Sequence, residues 1–134
     1  MARKPDPDIV AALQKVTDYD AAVIDDLASV GNRVNIPDRW SVMFEKTSAD
    51  MAYILLEGEV EIRKDGQTIA TAGPGSIFGE MALIDHTLRN ASVVAATPIS
   101  ALRLDHDSLA QLLEDHPAWG EAIRTAAESH KNVD

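Results

Sequence analysis

The chain has no cysteine, which excludes disulfides, thiolate nucleophiles and cysteine-bound metal and fits a reducing compartment. It also lacks any apolar run near the ~18 residues that a membrane span requires. Its start, MARKPDPD, has Arg3 and Lys4 but none of the apolar stretch of a secretion signal. Cations are scarce. Twelve Lys and Arg face 22 Asp and Glu, a formal net charge of −10, so the long-range field repels nucleic-acid phosphates and argues against a DNA-binding surface. The same field opposes a small anion, so any phosphate site must be built from individually placed groups. No Gly-Lys-[Ser/Thr] follows Gly73-Pro74-Gly75, which removes a triphosphate-binding loop and leaves a turn. His86, His106, His116 and His130 show neither i,i+4 pairing nor clustering, so no metal site is expected and these residues are assigned to the surface or to helix caps. No nucleophile–base pair is visible, and Glu80 has no second carboxylate, so no enzyme is expected. Together these absences lead us to expect a soluble, cytoplasmic, noncatalytic chain with no nucleic-acid or membrane partner.

What is present fits one domain of 134 residues, with 46% hydrophobic and 25% charged residues, close to the globular average. Over residues 8–30, Ile9, Val10, Leu13 and Val16, then Val23, Ile24, Leu27 and Val30, recur at helical spacing, with a break at Thr17-Asp18-Tyr19-Asp20. Two short helices are predicted, stopped by Gly31 and Asn32. Residues 32–105 change texture. Short β-prone runs at 34–36, 42–45, 51–56, 59–63, 68–71, 92–96 and 99–104 are separated by turn chemistry, including Asp65-Gly66, a hairpin signal. Strict alternation over 59–63 predicts a strand with one buried face. Helical spacing returns over 107–131, with Asp107 as the predicted N-cap, Leu109, Leu112 and Leu113 on one face, and Pro117 opening a last helix. Trp119 and Ile123, at i,i+4 on that helix, are assigned to core packing ahead of a role as a lid over a ligand. The predicted fold is α+β, an antiparallel β-roll flanked by N-terminal and C-terminal helices.

One stretch, 73–97, breaks the alternation and reads as a loop, a helix of a turn or two over 80–84, a second loop with Arg89, and a strand. A helix N-terminus offers unpaired N–H groups to a phosphate. Gly79 lets the backbone approach, Met81 and Ala82 supply donors, and Arg89 supplies a permanently charged fork matched to phosphate oxygens. Glu80 adds an acceptor. A carboxylate beside a phosphate is unfavourable unless it meets hydroxyls, which points to a ligand carrying both phosphate and sugar.

FGEMALIDHTLRNASVVAAT, residues 78–97, resembles the phosphate-binding cassette of cyclic-nucleotide-binding domains, found in catabolite-activator-type regulators and in regulatory subunits of cAMP-dependent protein kinase. It follows the F-G-E-x-A-L, spacer, R-x-A-[ST] pattern, with nine positions from Glu80 to Arg89. YILLEGEV, residues 53–60, is similar to the family's strand, glycine turn and strand. The resemblance implies a cassette over 78–92 with Phe78, Gly79, Glu80, Met81, Ala82, Leu83, Arg89, Asn90 and Ala91 as ligand-binding residues. By it, Glu80 accepts from the ribose 2′-OH, Arg89 pairs with the cyclic phosphate, and the N–H groups of Ala82 and Asn90 complete the cage. Leu83 then couples the cassette to the C-terminal helices. Two positions depart from the pattern. Leu88 replaces the usual small residue or proline, and Asn90 stands where alanine or serine accompanies cAMP and threonine favours cGMP. The chain also ends at Asp134, about where catabolite-activator-like members carry base-contacting helix residues and before a helix-turn-helix.

The resemblance implies a sensor that binds cAMP, in preference to cGMP, needs no cofactor, and signals through its C-terminal helices to an effector protein, with a homodimer admitted. The competing reading is a degenerate interaction module that keeps the roll without a physiological nucleotide. Intact Glu80 and Arg89 weigh against it.

Overall fold

A computed structural model describes residues 4–43, 51–78 and 92–131. Its first two helices are α1, Pro7–Val16, and α2, Ala21–Val30. Asp6 caps α1 by accepting from the Asp8 N–H at 2.9 Å, with Pro7 in the first turn where its missing donor costs nothing. Thr17 ends the helix, its hydroxyl donating to the Leu13 carbonyl at 2.8 Å. The break predicted at 17–20 is therefore real. The apolar stripes bury Ile9 and Leu13 from α1, and Val23, Ile24, Leu27 and Ala28 from α2.

Eight strands follow among the described residues: β1 Asn32–Ile36, β2 Ser41–Met43, β3 Met51–Glu57, β4 Val60–Lys64, β5 Gln67–Ala72, β6 Ile77–Phe78, β7 Ser92–Ala95 and β8 Ile99–Asp105. They form two antiparallel sheets, one in the order β1-β8-β3-β6 and the other β2-β7-β4-β5. Two helices close the fold, α3 at His106–Asp115 and α4 at Pro117–Lys131. This is the predicted helix-flanked antiparallel roll.

The first sheet is the shared wall of two cores. Its strands alternate, so Ala52, Ile54 and Leu56 of β3, with Leu102 and Leu104 of β8, pack with helix residues Leu13, Leu27, Leu109, Leu112, Trp119 and Ile123. The intervening Leu55 and Ile99 face the second sheet and pack with Val60, Phe78, Val93 and Ala95. Each large apolar side chain buried this way contributes about 1.5–3 kcal/mol.

Several expectations need correction. The N-cap of α3 is Asp105, not Asp107: Asp105 accepts from the Ser108 N–H at 2.7 Å. β8 runs one residue further than the apolar pattern suggests and delivers Asp105 to the helix start. β6 was not anticipated. It lies within a stretch read as loop and exists because Ile77 and Phe78 pair with Ile54 and Tyr53. In β4 only Val60 is fully buried, and Glu61 to Lys64 are all half-buried, so the alternation does not give a plainly wet face. Gly31 ends α2 as predicted, in extended backbone, φ −83. The Asp65-Gly66 hairpin stands as predicted: φ is 53 and 81 at the two residues, the pair of positive values a tight type I′ turn needs.

Candidate cyclic-nucleotide site

Phe78 is the last described residue before the candidate cassette, and Ser92 is the first after it. Gly79, Glu80, Met81, Ala82, Leu83, Arg89, Asn90 and Ala91 lie outside the described residues. What is defined is the frame from which they are held.

The launching side is fixed at three points. The Leu55 N–H donates to the Ser76 carbonyl at 2.8 Å, the Gly75 N–H donates to the Leu55 carbonyl at 2.8 Å, and the Ser76 N–H closes the turn onto Gly73 at 3.2 Å. Gly73-Pro74-Gly75 is thus a turn, as read. Gly75 has φ +94, and a Cβ there would collide with the Val16 carbonyl at the end of α1. Only glycine fits both constraints. Phe78 then pairs with Tyr53 across the strands, and the rings stack at 5.8 Å between centroids and 20° between planes. Both rings join the inter-sheet core, which sets the direction in which the chain leaves β6.

The receiving side lies in the other sheet. β7 is paired on both flanks, Ser92 with Arg63 and Val93 with Ile62 of β4, and Val94 with Ser41 of β2. Residues 79–91 therefore connect the edge of the first sheet to an interior strand of the second. Both ends are anchored in the packed inter-sheet core, where Val60, Val93 and Ala95 of the second sheet pack with Leu55 and Phe78 of the first.

A Tyr53 ring stacked on Phe78 was not anticipated, nor was a contact between His116 and Asp26 that ties α2 to the end of α3. Neither has a local sequence signal, because the partners are far apart along the chain. Trp119 and Ile123 are buried in the helical core, 6% and 3% exposed, which bears out their assignment to packing.

The family model described as cyclic nucleotide-binding domain matches residues 33–116. The chain belongs to the cyclic nucleotide-binding domain family. Over 74 residues, 55% of this chain and 20% of the relative, it is 38% identical to a cAMP-dependent protein kinase regulatory subunit of Yarrowia lipolytica. Over 95 residues, 67% of this chain and 42% of the relative, it is 30% identical to a CRP-like cAMP-activated global transcriptional regulator of Mycobacterium tuberculosis. The chain thus spans less than half the length of either relative. Among solved structures, cAMP-bound PfPKA-R superposes with a TM-score of 0.80 and 26% identity, covering 94% of this chain and 44% of that one. A second, PKAR CBD2 bound to Sp-2Cl-cAMPS, gives 0.79 and 25% identity over 94% of this chain and 84% of that one.

Proposed function

We propose that this cyclic-nucleotide-binding-domain chain is a noncatalytic sensor that binds a 3′,5′-cyclic nucleotide, cAMP in preference to cGMP, and passes the bound state through its C-terminal helices to an effector protein. One observation carries the proposal. The F-G-E-x-A-L to R-x-A-S pattern falls on the connection between β6 and β7, whose two ends are held in different sheets on either side of the inter-sheet core. Glu80 accepts from the ribose hydroxyl, Arg89 and the N–H groups of Ala82 and Asn90 hold the phosphate, and Gly79 admits the ligand to the backbone. The two curated relatives carry cAMP in their names, which supports the choice of ligand.

Calorimetric titration and thermal unfolding with cAMP, cGMP and noncyclic AMP test this reading. A cyclic nucleotide at 100 times its Kd stabilises the native state by about 2.7 kcal/mol, with cAMP effective at lower concentration than cGMP and AMP without effect. Arg89→Ala removes a charge-assisted pair worth about 1.5–3 kcal/mol, so Kd rises by tenfold or more while the unfolding transition of the free protein stays in place. Absence of stabilisation by any cyclic nucleotide would leave the interaction-module reading instead, and turnover of the nucleotide would make the chain an enzyme.

A further inference from the structure

α3 and α4 meet at an elbow that is clasped from two sides. His116 closes α3 immediately before Pro117, with φ −130 and ψ 72, so the chain turns sharply there. Its Nε2 meets Asp26 Oδ2 of α2 at 2.7 Å, with the imidazole 17% exposed and the carboxylate 50%. Trp119, on the first turn of α4, packs edge-on against Tyr19 in the α1–α2 connection, with 5.8 Å between ring centroids and 79° between planes. A Cβ on Gly120 would come within 3.1 Å of Leu113 Cδ2, so α3 and α4 approach with little slack. Among the described residues, the Trp119 indole Nε1 is nevertheless buried without a hydrogen-bond partner. A buried donor left unpaired opposes the arrangement that buries it.

The docked position of α4 therefore contains a contact that favours it and a group that penalises it. We propose that the Asp26–His116 contact is a latch that sets the balance between α4 docked on the N-terminal helices and α4 released, and through it the apparent affinity for cyclic nucleotide. The affinity part rests on the function proposed above. We assign the docked arrangement as the binding-competent state because the chain as a whole superposes, over 94% of its length, on structures bound to cAMP and to Sp-2Cl-cAMPS. A ligand that selects one state binds more weakly in proportion as that state is depopulated.

The test compares wild type, Asp26→Ala, His116→Ala and the double variant, by amide hydrogen exchange without ligand and by cAMP titration. Each single variant speeds exchange of the α4 amides, residues 117–131, while β3 and β8 stay as protected as in wild type. Each raises Kd for cAMP up to about fivefold, the range by which loss of one half-exposed side-chain contact shifts a population. The double variant is no weaker than the worse single, because both substitutions remove one contact. Unchanged α4 exchange in Asp26→Ala, a site too exposed to threaten the core, overturns the latch. Faster α4 exchange with unchanged Kd overturns its coupling to the ligand. Failure of wild type to bind cAMP would sink the proposed function, and the exchange measurement would still decide whether the latch exists.

Discussion

Gly75 shows how one residue can position a site it never touches. Its φ of +94 already strains any other residue, by about 1–3 kcal/mol, and a Cβ would strike the Val16 carbonyl, part of a helix backbone that cannot swing aside. Gly75→Ala is therefore expected to destabilise the chain by more than the conformational term alone, read as a lower urea midpoint, and to weaken cAMP binding by displacing β6. A variant as stable as wild type would mean that the turn is free to move. Asp105 works through charge. Its carboxyl is held below the ordinary value of 3.8, first by the Ser108 backbone N–H, then by the Ser108 hydroxyl, with His106 assisting and burial opposing. A depressed carboxylate contributes stability that is fully present above its unfolded pKa and is lost as pH falls through the folded one. Asp105→Ala is expected to cost about 1 kcal/mol at pH 7, and the gap between variant and wild type should narrow as pH falls from 3.8 towards 3. Paired denaturation curves at pH 7 and pH 3 check this, and an undiminished gap at pH 3 would show that the cap does not act through its charge.

At the scale of elements, what could be read from the sequence followed the range of the forces involved. α1 and α2 were legible because their stripes, the stop at Gly31 and the break at 17–20 are local. β3, β5 and β8 were legible to within a residue or so because β-branched and apolar runs are bounded by turn residues such as Glu57-Gly58 and Asp65-Gly66. β6 was not. Two residues have no periodicity to detect, and Ile77-Phe78 becomes a strand only when Tyr53 and Ile54 arrive from β3. The α3 N-cap went to the wrong aspartate for a related reason. Asp105 and Asp107 are both good caps in isolation, and the choice is made by β8, which pairs Asp105 with Met51 and so fixes where the helix can begin. The candidate site was legible only as a spacing, Glu80 to Arg89, on residues that lie outside the described ones. Its frame was not, since the Tyr53–Phe78 stack and the flanking of β7 by β2 and β4 are contacts between distant segments. The Asp26–His116 contact had no sequence signal for the same reason, and His116 had been placed only as a surface or capping residue.

For the molecule as a whole, the first sheet is the element both cores need. Ile54 and Leu55 are neighbours on β3, fully buried, and point into different clusters, one shared with the helices and one with the second sheet. Removing either side chain down to alanine leaves a cavity costing about 2–5 kcal/mol, and neither core can loosen without disturbing the wall of the other. Ligand-free wild type, Ile54→Ala and Leu55→Ala are therefore expected to unfold in single transitions, with the midpoints of both variants lowered. The two tryptophans allow a direct check. Trp119 is 6% exposed in the helical core, whereas Trp40 is 64% exposed already, so the fluorescence change on unfolding reports chiefly on the helices, and far-UV circular dichroism also follows the roll. Coincident midpoints by both probes in Leu55→Ala, whose cavity lies on the roll side, mean that damage there is felt at Trp119 and that the chain folds as one unit. If the roll transition moved down while Trp119 kept its wild-type midpoint, the helices and the roll would be separable. The bound state of the cassette would then have no packed route through the first sheet to the elbow of α3 and α4.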